Sequence, residues 1–171
     1  MADKFTRLTC GDGDILYGDS NSSDSLEELQ DNIDAKLLTF IGQDANGGTV
    51  TGTTSETKVC SVEVAANSVS THLLIIASLS YTQTGASGTG ATADFKVKIG
   101  TADDTSGTQL STTLVLGAVG DHNLLTGGSF VVVAVGGSDF TVSNKNYVVV
   151  TADPGHASNT CTCHGLCVFG I

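Results

Sequence analysis

The chain has 171 residues, enough for one domain with a full core, and it is rich in glycine, threonine and serine, with one proline and no tryptophan. Seven Lys/Arg against eighteen Asp/Glu give a net charge of −11, and the cations are scattered, which disfavours nucleic-acid binding. The start lacks an apolar export signal and no apolar run is long enough to span a membrane, so we expect neither secretion nor membrane contact.

The first predicted unit, residues 1–36, is an N-terminal arm followed by a short helix. Half of the eighteen acidic residues fall within the first 35 positions. Residues 1–21 are rich in glycine and aspartate, which favour turns, and such a segment does not fold by itself. It carries one apolar island that needs a surface to bury against. We therefore interpret it as a docking arm anchored by Ile15, Leu16 and Tyr17.

A helix is predicted from Asp24 to Leu37. Ser25 and Glu28 form a capping-box pattern, and acidic residues fill the first turn. Apolar residues then recur at a spacing of three or four. Such a stripe suits a helix packed on its own domain, and it also suits a short inter-chain bundle. As candidate oligomer residues we assign Leu26, Leu29, Ile33 and Leu37.

From residue 37 onward the apolar period changes to two, which is typical of half-buried strands. Glycine-rich turn signals such as 46–48 and 85–90 separate the apolar segments. Eight or nine strands at this spacing predict an all-β, jelly-roll-like two-sheet sandwich over residues 37–171. The predicted strands are 37–42, 58–64, 73–81, 95–99, 108–117, 129–136, 138–143, 146–152 and 161–170.

Two of these strands, 129–135 and 147–150, are apolar on both faces. One face serves the core, so the other must be covered by the arm or by a neighbouring subunit. Self-association is the more economical explanation. We therefore expect an oligomer, most simply a homotrimer.

The C-terminal segment Cys161-Thr-Cys163-His164-Gly-Leu-Cys167 offers three thiols and an imidazole. Structural zinc sites leave two to four residues between paired cysteines, a spacing that one end of this segment does not have. On a strand, Cys161, Cys163, Cys167, Phe169 and Ile171 would share one face, which favours core residues. A local or inter-subunit disulfide stays open.

A calcium site at Asp12, Asp14 and Asp19 is disfavoured, because Leu16 and Tyr17 occupy positions where an EF-hand loop needs a ligand and a glycine. We predict no metal site and no cofactor. Neither a nucleophile elbow, a P-loop nor a dinucleotide fingerprint occurs, and the four histidines have no acidic partner at a motif spacing. The chain is therefore expected not to be an enzyme.

The segment from Phe5 to Leu16, with Gly13-Asp14-Ile15-Leu16 followed by Asn21 and a helix, resembles the start of fibre, neck and decoration proteins of tailed bacteriophages. The remaining residues resemble the trimeric jelly rolls of viral fibre heads and, more distantly, tumour-necrosis-factor-type domains. The resemblance implies a virion structural protein made in the host cytoplasm, a capsid decoration or fibre component that contacts capsid, neck or tail proteins. The alternative is a receptor- or glycan-binding tip of a tail fibre.

Overall fold

A computed structural model describes residues 38–52, 55–69, 71–84, 92–116 and 124–170. Several predictions from the sequence lie outside these residues. They are the domain boundary at residue 36, the disfavoured calcium site at Asp12, Asp14 and Asp19, the docking arm at Ile15, Leu16 and Tyr17, and the apolar helix residues Leu26, Leu29, Ile33 and Leu37.

Ten antiparallel strands make up the described part of the chain, and it contains no helix that could cross a membrane. The strands are β1 (Thr39–Asp44), β2 (Gly48–Thr51), β3 (Thr57–Val64), β4 (Leu73–Thr84), β5 (Ala93–Gly100), β6 (Thr108–Gln109), β7 (Leu114–Leu116), β8 (Leu124–Val135), β9 (Asn146–Asp153) and β10 (Asn159–Gly170).

The strands form two sheets of five. In sheet A the order is β1-β10-β4-β8, and β2 pairs with β10 on the same side as β1. In sheet B the order is β3-β9-β5-β6, and β7 also pairs with β5. When β1 with β2 and β6 with β7 are each counted as one interrupted strand, the orders become 1-8-3-6 and 2-7-4-5. This is the jelly-roll arrangement, so the predicted fold class is confirmed.

The core lies between the sheets and follows the alternation of apolar residues. In β5 the inward residues Ala93, Phe95, Val97 and Ile99 are buried, while the residues between them face outward. The first residue of β1, Thr39, lies opposite Gly170 at the end of β10. The chain therefore enters and leaves the described sandwich at neighbouring points of sheet A.

One flank of the sandwich is closed by a tight turn between β1 and β2. The Asp44 carboxylate accepts hydrogen bonds from the backbone N–H groups of Asn46 (3.2 Å) and Gly47 (2.9 Å). A side chain at Gly47 would strike the Cys163 carbonyl of β10, and one at Gly48 would strike the Val59 carbonyl of β3. Both glycines are needed because backbone from both sheets approaches here.

The strand predicted at 138–143 is wrong. Those residues form turns, in which the Asp139 N–H donates to Gly136 O (3.0 Å) and the Asn144 N–H to Thr141 O (3.0 Å). The buried Asn146 amide also donates to Thr141 O and Asn144 O. Phe140 still reaches the core, but it does so from a turn.

The predicted strand 108–117 is also corrected, because residues 110–113 interrupt it and leave the short β6 and β7. There the Leu110 N–H donates to Val97 O (2.8 Å), and the Ser111 hydroxyl accepts from the Val97 N–H (3.1 Å). These contacts hold residues 110–113 beside β5, although the backbone hydrogen bonds of a continuous strand pair are missing there. The strand predicted at 129–136 starts earlier, at Leu124, and β2 was not predicted.

Candidate assembly surface

The outer face of sheet A carries two rows of apolar side chains near the ends of its strands. The register places Phe40, Phe169, Leu74 and Ala134 in one row and Cys167, Ile76 and Val132 in the next. The rings of Phe40 and Phe169 pack edge to face, with their centroids 5.8 Å apart. Phe40 is 54% exposed and Val132 is 64% exposed. We call these seven residues the apolar patch.

The same face continues into a region of hydroxyl groups, which we call the hydroxyl patch. Thr49 and Thr162 are joined by a 3.2 Å hydrogen bond, and Thr51 and Thr160 by one of 3.0 Å. Ser80 and Thr82 of β4 extend these two rows, and the Ser80 hydroxyl lies 2.7 Å from His164 Nε2. Neither patch contains a carboxylate or an ammonium group.

Strand β8 forms one edge of sheet A, and among the described strands it pairs only with β4. A cleft of about 410 Å³ opens beside it, lined by residues 110–114 and 131–134. The described part of the sandwich is therefore open on the flank opposite the β1–β2 turn.

The two doubly apolar strands have different surroundings. In β9, Val149 is 1% exposed and lies between Ser61 and Lys98, so no second subunit is needed to bury it. In β8, Val133 and Val135 face the core, whereas Val132 and Ala134 face outward and are exposed. Among the described residues, β8 therefore has an apolar outer face for the arm or a neighbouring subunit to cover, whereas β9 has none.

The C-terminal cysteines do not share one face, contrary to the prediction. A β-bulge between Cys163 and Gly165 reverses the alternation, because the strand gains a residue relative to β4. Cys161 and Cys163 point into the core, while Cys167 and Phe169 lie on the outer face. Because His164 is exposed, the four side chains cannot converge on one zinc ion in this conformation.

Two of the buried thiols, Cys60 and Cys161, are held in their neutral form. A hydrogen bond with Cys163 of sheet A raises the pKa of Cys60 in sheet B. Burial raises the pKa of Cys161 to about 12. Because the thiolate is the reactive form, Cys60 and Cys161 are best described as small core residues.

The outer face of sheet B differs from that of sheet A because it is charged and internally paired. Every lysine in the described part of the chain has a carboxylate partner, through the ion pairs Lys58–Asp103 (2.7 Å), Lys96–Glu56 (3.0 Å), Lys98–Glu56 (2.6 Å) and Lys145–Glu63 (3.5 Å). This pairing leaves no cluster of available cations there for a phosphate backbone.

Glu56 is the centre of this network and gives a testable pH dependence. Burial acts to raise its pKa, but hydrogen bonds from Lys98, Lys96 and Thr151 outweigh burial and lower the pKa from 4.5 to about 2. A lowered carboxyl pKa stabilises the fold above the unfolded value, and this stability is lost as pH falls from 4.5 towards 2. We expect Glu56→Gln to cost roughly 1–3 kcal/mol at pH 7 and much less near pH 2.

Urea denaturation of both proteins across this pH range would measure the effect. Glu63→Gln is the matched control, because its ion pair with Lys145 is about half exposed and should contribute at most about 0.5 kcal/mol. A Glu56→Gln cost that stays constant down to pH 2 would contradict the assignment.

Sequence reasoning identified the β8 segment but missed the rest of the apolar patch. The run Leu73-Leu74-Ile75-Ile76 contained the missing signal, because four successive apolar residues place two on each face of a strand. Phe40 and Phe169 gave no such signal. Their meeting depends on the pairing of β1 with β10, which are far apart in the chain.

No family model and no curated protein matches the chain. Weak structural similarity links it to proteins of infectious bursal disease virus particles. The T13 viral particle protein is 10% identical with a TM-score of 0.26, the Gx strain protein 12% with 0.27, and the VP2 subviral particle protein 13% with 0.25. Each alignment covers 98% of this chain and 44–46% of the viral chain, so the chain spans less than half their length.

Proposed function

We propose that the chain is a non-enzymatic structural protein of a virus particle, a trimeric capsid decoration or fibre component. In this proposal the arm at Ile15, Leu16 and Tyr17 docks on capsid, neck or tail proteins, and the sandwich is displayed. Nucleic acid and membranes are not partners. The observation that carries the proposal is the apolar patch on the outer face of sheet A.

The patch favours assembly for reasons of composition and size. Large side chains such as Phe40 and Val132 are exposed on a chain whose net charge is −11, while the patch itself is uncharged. Copies of an acidic protein repel one another, so a neutral apolar face is where they approach at least cost. The whole outer face of sheet A, with the apolar and hydroxyl patches together, is four strands across and up to twelve residues long, which gives roughly 40 by 19 Å, about 750 Å² per copy. A stable interface of standard size buries about 800 Å² per partner.

Light scattering of the full chain tests the assembly state. We expect a mass near three times the 17.3 kDa of one chain. Phe40→Glu should reduce that mass, because it places a charge in the apolar patch, whereas Val115→Glu on the exposed part of β7 should not. A monomeric wild-type chain, or equal masses for both variants, would contradict a trimer built on this face.

Deletion of residues 1–21 tests the arm. The truncated chain should remain folded and trimeric but should no longer bind particles purified from the virus that encodes it. Mass spectrometry of those particles, with and without added chain, gives the readout. Equal binding by the truncated and full chains would place attachment on the sandwich instead.

A further inference from the structure

We propose that the edge of β8 beside residues 131–134, which no described strand occupies, pairs with the same edge of a second copy of this chain, in an antiparallel arrangement centred on Val132. This contact has two-fold symmetry, and it neither replaces nor requires the trimer proposed above. The inference rests on a comparison of the four sheet edges, on charge and on the cleft beside β8.

An unpaired sheet edge presents N–H and C=O groups that can hydrogen-bond to another strand, and proteins usually block such edges. Three edges of the described sandwich carry blocking features. The β1–β2 edge is broken by a turn and a bulge, and the β6–β7 edge consists of strands of two and three residues. The β3 edge carries two charged residues, Lys58 and Glu63, and a bulge. At Val59 of β3 the backbone of Gly48, the first residue of β2, comes close to this edge.

Strand β8 has none of these features. It is twelve residues long, pairs in unbroken register with β4, and contains no proline and no charged residue. Its second half, residues 129–135, is dominated by valine, and Val132 is 64% exposed. Long, uncharged, valine-rich edges are those most prone to pair with another strand.

Charge and space favour a second copy as the occupant. A strand from a molecule of net charge −11 could approach with least repulsion along an edge that is itself uncharged on both copies. The cleft of about 410 Å³ between residues 110–114 and 131–134 leaves room beside the edge for side chains of the added strand. Two β8 edges joined in this way would make one continuous sheet of ten strands, eight strands across because β1 and β2 share one position.

Charge substitutions at Val132 test this geometry, because centring the pair on Val132 places this residue opposite its own copy. We expect Val132→Lys and Val132→Glu each to weaken self-association by roughly tenfold, since like charges would face each other across the pair. A 1:1 mixture of the two variants should recover much of the wild-type affinity, because lysine would then face glutamate. Sedimentation at increasing concentration measures each case.

Val115→Lys is the matched control, because Val115 is 52% exposed on β7 and lies outside the proposed contact. Thermal unfolding checks that each variant is folded. Hydrogen exchange gives an independent readout. Alternate backbone amides of residues 129–135 should exchange more slowly in the associated state than after dilution.

The results separate this proposal from the proposed function. A trimer whose β8 amides exchange equally at all concentrations would overturn the edge contact and leave the trimer intact. A dimer with protected β8 amides would support the edge contact and contradict the trimer, whereas a hexamer with protected β8 amides would support both. A chain that stays monomeric up to about 1 mM, or a mixture that fails to recover association, would also overturn the edge contact.

Discussion

Gly47→Ala is expected to destabilise the sandwich by roughly 2–4 kcal/mol, although it adds a single methyl group. Gly47 has φ of 58°, which disfavours a side chain, and the new Cβ would strike the Cys163 carbonyl of β10. Backbone cannot move aside as a flexible side chain can. To relieve the clash, β2 must separate from β10, which weakens the turn that closes this flank.

Gly136→Ala is the control, because the nearest atoms to a Cβ at Gly136 lie 3.9 Å away and its backbone is unstrained. It should change the free energy of unfolding by no more than about 0.5 kcal/mol. Urea denaturation of the three proteins measures the difference. Equal stability of the two variants would show that β2 is not held tightly against β10.

Phe95→Ala should lower stability further, by roughly 3–5 kcal/mol, because it leaves a cavity in the centre of the core. Phe95 is 1% exposed and lies on the inner face of β5, between Ala152 of β9 and Leu114 of β7. Both sheets meet over this position. The loss therefore combines the transfer free energy of the ring with the contacts that its neighbours lose.

The neighbouring Val115 supplies the comparison, since it is 52% exposed on β7. Val115→Ala should lower the free energy of unfolding by less than about 0.5 kcal/mol. Phe95 and Val115 lie in the same local pairing of β5 with β7, so the comparison isolates burial. Thermal unfolding monitored by circular dichroism distinguishes Phe95→Ala from Val115→Ala. If Phe95→Ala unfolded within a degree or two of the wild type, the core would not be packed as described.

The strand cores could be predicted because burial imposes a period of two wherever one face meets the core. That pattern located β3, β4, β5, β9 and β10 to within a few residues. It failed at Phe140, whose apolar neighbours fit the same period although the backbone is closed into turns. It also failed at Cys167, because the bulge after Cys163 depends on the pairing of β10 with β4 rather than on local sequence.

The candidate surface was less predictable than the fold. The apolar run at 129–135 indicated a second apolar face outside the core, and Val132 does lie on the outer face of the sheet. The equally apolar run at 147–150 gave the same indication, yet Val149 is buried between Ser61 and Lys98 because β9 is central in sheet B. A strand's position in its sheet decides whether its second face is open. That position is set by contacts distant in the chain.

The pairing of Thr39 with Gly170 has a practical consequence for engineering. Because paired residues of neighbouring strands are only about 5 Å apart, residues 39–170 span almost no distance between entry and exit. Such a unit can be grafted into a surface loop of an unrelated host without stretching the host's backbone. The opposite end of the sandwich, beyond the hydroxyl patch, would then project away from the graft point and be free to carry inserted peptides.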